Sequence, residues 1–105
     1  TRVEYRTGDA SANTYFFLSA MVLAGADGII KNMDPVALGY QSQDAKAELT
    51  FPLNLNLVLD GLEKDHEYLD CVFPPKLIEL WIKAKRAEAE YVYNAPTAQE
   101  YELYF

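Results

Sequence analysis

The sequence is short of the residues that carry much small-domain chemistry. Among 105 residues it has one cysteine, one histidine and one tryptophan. A single cysteine excludes an internal disulfide framework. With no catalytic pattern around it, Cys71 reads as a small core residue rather than a nucleophile. One histidine cannot supply a paired His or Cys metal site. His66 lies in the polar stretch Lys64-Asp65-His66-Glu67 and reads as a surface residue. Basic charge is also scarce: nine Lys and Arg stand against sixteen Asp and Glu, a net charge of −7. That balance argues against nucleic acid, which needs a basic patch, and against anionic membrane surfaces. No apolar run is long and clean enough to span a bilayer, and the nearest candidate, Tyr15 to Gly25, is too short. No signal peptide is visible, so the expected setting is cytoplasmic.

Apolar residues, by contrast, are plentiful. Half the chain is hydrophobic and eight residues are Tyr. Such a surplus on a small chain implies apolar faces that meet partners outside it. The other reading is an ordinary helical domain with a rich core.

Local signals give an all but fully helical outline. Arg2 to Arg6 reads as a strand, followed by a turn at Thr7-Gly8-Asp9 in which Gly8 is free to take a positive φ. Asn13 is placed to cap a helix from Thr14 to Lys31. That helix is apolar nearly all round, which predicts burial. Residues 32–52 read as a long loop, functional or flexible. Asn54 caps a helix from Leu55 to about Leu69, with Leu55, Val58, Leu59 and Leu62 as its apolar stripe. A last long helix starts around Phe73-Pro74-Pro75, with Pro75 in the first turn, and ends near Asn94, before Pro96. Leu77, Ile78, Trp81 and Ile82 form its buried face. Glu79–Lys83 and Arg86–Glu90 are spaced for helical ion pairs.

The candidate site is the first segment. On a strand, Arg2, Glu4 and Arg6 share one face, and Val3 and Tyr5 share the other. Two guanidiniums flanking one carboxylate suit phosphate oxygens and a divalent cation together, because Arg grips oxyanions bidentately and a carboxylate ligates Mg²⁺ or Mn²⁺. On spacing alone, the same pattern describes a surface ion-pair ladder worth little to stability.

The order of motifs along the chain resembles the C-terminal part of the glutamine synthetase family, closest to its prokaryotic type I members. The resemblance rests on Arg2-Val3-Glu4-Tyr5-Arg6, then Asp9, Asn13, and a helix closing on Ala24-Gly25-Ala26-Asp27-Gly28-Ile29. It continues through Leu62-Glu63-Lys64-Asp65, Tyr68-Leu69, Val72-Phe73 and Glu100-Tyr101-Glu102-Leu103-Tyr104, and is weakest from about Pro35 to Pro52. It departs from the family where Thr14 replaces Pro, where Asp70-Cys71 shortens a Gly-containing connection, and where Thr97-Ala98 replaces a His-Pro pair. Tyr40, in Leu38-Gly39-Tyr40-Gln41, lacks the surroundings of the regulatory Tyr of some bacterial members, so adenylylation is not expected.

The resemblance implies a mainly α fold: one N-terminal strand, three long helices and a short C-terminal helix, as residues 1–105 of an α+β catalytic domain. It implies ATP-dependent ligation of ammonia to glutamate, with ATP and Mg²⁺ or Mn²⁺, in a parent homo-oligomer that includes the preceding part of the same chain. Carried over residue by residue, it makes Glu4 a metal ligand, Arg6 a catalytic contact to substrate and transferred phosphoryl group, and Arg2 a contact to the ATP phosphates. The other metal ligands, the ammonium site and much of the nucleotide pocket lie upstream of the position of Thr1, so the chain by itself is expected to be inactive. Two alternatives stand beside this: a fragment of a ligase joining glutamate to another amine, and a non-catalytic helical interaction module.

Overall fold

The computed structural model describes residues 1–2, 4–39 and 52–105, which belong to two compact units divided between residues 45 and 46. The chain is mainly helical, in the order α1 (Thr14–Ile30), α2 (Leu55–Lys64), α3 (Pro75–Tyr93) and α4 (Ala98–Tyr104). The N-terminal strand expected over Arg2 to Arg6 does not form: among the described residues there is no strand. A strand exists through hydrogen bonds to a neighbour, and the described backbone before Asp9 has no backbone partner. Side-chain alternation in the sequence marks two faces, but it cannot supply the pairing.

In the first unit, the turn after this segment starts at Asp9 rather than at Thr7. The Ala12 N–H donates to the Asp9 carbonyl at 3.1 Å. The Asp9 carboxylate accepts from the Ser11 N–H and the Ser11 hydroxyl, both at 2.8 Å. Gly8, though free to take a positive φ, does not; among the described glycines only Gly39 does, at 87°. Asn13 caps α1 as its sequence position predicts, its side chain accepting from the Phe16 N–H at 3.1 Å.

At the other end Asn32 adopts φ 48°. The Met33 N–H reaches the Gly28 carbonyl at 2.9 Å and the Asn32 N–H reaches that of Ile29 at 3.0 Å. These two bonds make a Schellman ending, with Asn in the place usually held by Gly. No residue of α1 is buried. Burial was the expectation for so apolar a helix, but among the described residues of its unit α1 has no second helix to pack against. Tyr15, Leu18, Val22, Ile29 and Ile30 are exposed.

The second unit is an antiparallel pair, α2 on α3, the contact that holds its core. Asn54 caps α2, accepting from the Leu57 N–H at 3.0 Å. The helix stops at Lys64 rather than Leu69, because Asp65 turns extended and a single 3-10 turn, Glu67–Leu69, follows. That early stop lets Leu69 and Phe73 fold back into the core with Leu59, Ile78, Ile82 and Ala89. Both the Val72 and Phe73 N–H groups bond the Leu69 carbonyl, at 3.0 and 2.8 Å. The tight turn leaves Cys71 exposed, contrary to its reading as a core residue.

Of the expected stripe on α2, Leu59 is buried and Leu62 half-buried, whereas Leu55 and Val58 are exposed. Trp81 lies at the exposed rim of α3, with the Lys85 ammonium 5.0 Å from its ring centroid.

Two polar ties cross the pair. The Leu55 N–H, an orphan donor at the start of α2, reaches the Tyr93 hydroxyl at 3.2 Å. Arg86 donates to Asp60 at 2.7 Å and Glu63 at 2.8 Å. Its charge is thus drawn onto α2 rather than onto Glu90, and Glu79 pairs with Lys76 at 3.1 Å rather than with Lys83. Those carboxylates hold the Arg86 pKa above its usual value, Asp60 contributing most. A capping box formed by Thr97 and Glu100 opens α4.

Candidate functional site

The three candidate residues come together in the structure. Arg2 directs its Nε and Nη2 at Glu4 Oε1, at 2.8 and 2.6 Å. Arg6 directs its Nε and Nη2 at Glu4 Oε2, at 3.1 and 2.6 Å. Glu4 therefore sits between two guanidiniums, one on each oxygen. Charge-assisted bonds of this length favour the ionised carboxylate, and the Glu4 pKa is lowered, first by Arg6 and then by Arg2. The arginine side chains are 84% and 85% exposed and that of Glu4 is 40% exposed. Ion pairs this wet add little to stability, so the triad is not what holds the fold together.

The arrangement leaves capacity to spare. A guanidinium has five N–H donors in a fixed fork, and each arginine spends only its Nε and Nη2 edge on Glu4. Among the described residues neither Nη1 has a hydrogen-bond partner. One carboxylate thus ties two guanidinium forks, each with its Nη1 side open.

The same residues fit a divalent cation poorly by themselves. Mg²⁺ and its relatives need several oxygen ligands. The triad offers one carboxylate, already engaged on both oxygens, and among the described residues no group of three or more His, Cys, Asp or Glu gathers at one point. Glu4 can be one ligand of a metal only if the rest come from elsewhere.

Two contacts that the sequence does not signal join the triad's segment to α1. Phe17, read only as one more apolar residue of the first helix, has its ring centroid 6.0 Å from that of Tyr5, tilted by 40°. Gly8 lies against the edge of the same ring. Neither contact has a local signature, because each joins the N-terminal segment to α1 across the turn. The Thr97 capping box was legible, as Thr followed three residues later by Glu. Tyr40, the position considered for regulation, lies outside the described residues.

The exposed Arg–Glu–Arg triad stands just before a long apolar helix, and comparison with known proteins places the chain in a family. Residues 1–104 match the family described as glutamine synthetase, catalytic domain. The chain is 42% identical to a glutamine synthetase of Streptomyces coelicolor and 40% identical to one of Mycobacterium tuberculosis, in both cases over 99% of this chain and 24% of the relative. It is 33% identical to that of Sulfolobus acidocaldarius over 94% of this chain and 23% of the relative. No solved structure matches it. The chain belongs to the glutamine synthetase catalytic-domain family and corresponds to the C-terminal part of those proteins. It spans about a quarter of the length of the curated relatives it matches. Among the described residues, no helix is long and apolar enough to cross a membrane.

Proposed function

We propose that residues 1–105 are a C-terminal segment of a glutamine synthetase-like catalytic domain, contributing part of the site at which ATP drives ligation of ammonia to glutamate. The observation that carries this reading is the closed Arg2–Glu4–Arg6 triad at the head of a chain whose family match begins at residue 1. In this reading Arg6 contacts substrate and the transferring phosphoryl group, and Arg2 lies on the ATP phosphates. Phosphoryl transfer is mostly positioning and charge neutralisation, and exposed guanidiniums with unspent donors supply both. Glu4 would set the spacing of the two forks and could give one oxygen to Mg²⁺ or Mn²⁺, for which no further cluster of ligands gathers among the described residues.

That deficit makes the isolated chain inactive. The exposed apolar surface of α1 supports the same reading, since it suits a helix that packs on other parts of a larger enzyme, itself a cytoplasmic homo-oligomer. A fragment of a ligase using a different amine would keep the same triad; only the amine pocket would differ.

The test is a graft. The chain replaces the matching quarter of the Streptomyces coelicolor glutamine synthetase, and glutamine formation with ATP, glutamate and ammonia is assayed beside the isolated chain. The expected result is glutamine from the graft and none from the isolated chain. Glutamine formed by the isolated chain, or an assembled graft that turns over another amine and not ammonia, would overturn the reading.

A further inference from the structure

The triad needs something to hold it in place, and the described backbone around it does not. No backbone hydrogen bond anchors the described residues before Asp9, and the ion pairs within the triad tie it only to itself. Among the described residues, an aromatic contact does tie the segment to α1, through the ring of Phe17. Tyr5, between Glu4 and Arg6, packs on that ring at a centroid distance of 6.0 Å. Gly8, two residues past Arg6, packs on its edge. A Cβ at Gly8 would lie 2.9 Å from Phe17 Cζ and 3.1 Å from Cε2, closer than atoms can sit without displacement. Gly8 has no positive φ to explain it, so what the position requires is room for the ring.

From these contacts we infer that Phe17 is a positioning residue for the Arg2–Glu4–Arg6 grip, holding the segment on both sides of Arg6 through Tyr5 and Gly8. The inference rests on the reading of the triad as a phosphate-facing site. Phe17 itself touches no phosphate. It sets where the two guanidiniums stand relative to α1, and therefore relative to whatever α1 packs on. Its ring is half-buried and α1 starts from its own Asn13 cap, so the helix does not depend on it.

The experiment uses the 105-residue chain, with inorganic tripolyphosphate as the probe. Two quantities are read: the ¹⁵N–¹H signals of the Arg2 and Arg6 Nε–H groups, and the tripolyphosphate affinity. In the unaltered chain the Nε–H signals should be shifted from free-arginine positions. In Phe17→Ala they should move to free-arginine positions, with α1 helicity unchanged by circular dichroism. Tripolyphosphate binding should weaken roughly two- to tenfold, the range of a lost aromatic pair.

Tyr5→Phe should preserve both readouts and Tyr5→Ala should lose them. Gly8→Ala should disturb them with Phe17 present and have no effect in the Phe17→Ala background, since the clash is with that ring alone. Unchanged Nε–H signals and affinity in Phe17→Ala would overturn the positioning role while leaving the phosphate reading intact. Phe17-dependent Nε–H signals without tripolyphosphate binding would overturn the phosphate reading and leave the aromatic seat in place.

Discussion

Replacing Leu59 by Ala should strongly destabilise the second unit, whereas replacing its neighbour Val58 by Ala should hardly be felt. The two residues belong to the same apolar stripe in the sequence, but the structure separates them. Leu59 is 2% exposed at the α2–α3 contact, and Val58 is 47% exposed. Truncating a buried Leu costs about 2–5 kcal/mol, from lost transfer free energy and the cavity left behind. The unit has roughly 60 residues, and at about 0.05–0.15 kcal/mol per residue its whole stability is on the order of 3–9 kcal/mol. Its buried apolar core is small: Leu59, Leu69, Phe73, Ile78, Ile82 and Ala89. A loss near 3 kcal/mol is therefore a large share of the total. Val58→Ala should stay within about 0.5 kcal/mol, as exposed substitutions do. Urea titration followed by helical circular dichroism and Trp81 fluorescence reads both variants. Equal midpoints for Leu59→Ala and Val58→Ala would refute the packing described for α2 on α3.

Further outcomes follow from the same contacts. Arg86→Glu should lower the thermal midpoint of the second unit, because it sets a third carboxylate against Asp60 and Glu63, and Arg86→Lys should fall between it and the original. Thr97→Ala removes the acceptor for the Glu100 N–H and should destabilise α4 by about 1 kcal/mol, read as faster amide exchange over residues 98–104. Asp9 has its pKa lowered, first by the Ser11 N–H and then by the Ser11 hydroxyl. The turn it holds is thus fully stabilised above the ordinary value of 3.8 and loosens as pH falls through the lower folded value. The Ser11 amide shift should follow that transition, and Asp9→Asn should abolish it. Finally, the exposed apolar residues of α1 should make the chain bind a hydrophobic dye and self-associate. Val22→Glu should reduce both, as read by dye fluorescence and light scattering; a compact monomer without dye binding would point instead to a free-standing helical module.

What could be read from the sequence was local. Asn13 and Asn54 cap the helices they were expected to cap, Pro75 occupies the first position of α3, and Asn94 closes it ahead of Pro96. Each of these depends on a few adjacent residues and their hydrogen-bonding chemistry. The grouping of Arg2, Glu4 and Arg6 was legible too, from their spacing two apart, and the side chains do meet even though no strand forms.

What failed was non-local. A strand at Arg2 to Arg6 needed a partner that its own residues could not specify. Burial of α1 was inferred from composition, but composition says that a helix wants cover, not that cover is present. Arg86 was assigned to Glu90 on its own helix because sequence spacing cannot see Asp60 across the pair. Cys71 was read as core from its type, yet its surroundings are set by a turn that buries Leu69 and Phe73 and leaves it outside.

The role proposed for Arg2, Glu4 and Arg6 is phosphoryl transfer in a glutamine synthetase-like site. The most direct measurement is the rate of ATP-dependent glutamine formation by the grafted enzyme carrying Arg6→Ala or Glu4→Gln, with assembly checked by light scattering. Both variants should assemble and lose turnover by about a hundredfold or more, the scale of losing one preorganised electrostatic contact. Assembled variants that turn over at the unaltered rate would contradict it, and would leave the triad as a surface ion-pair ladder.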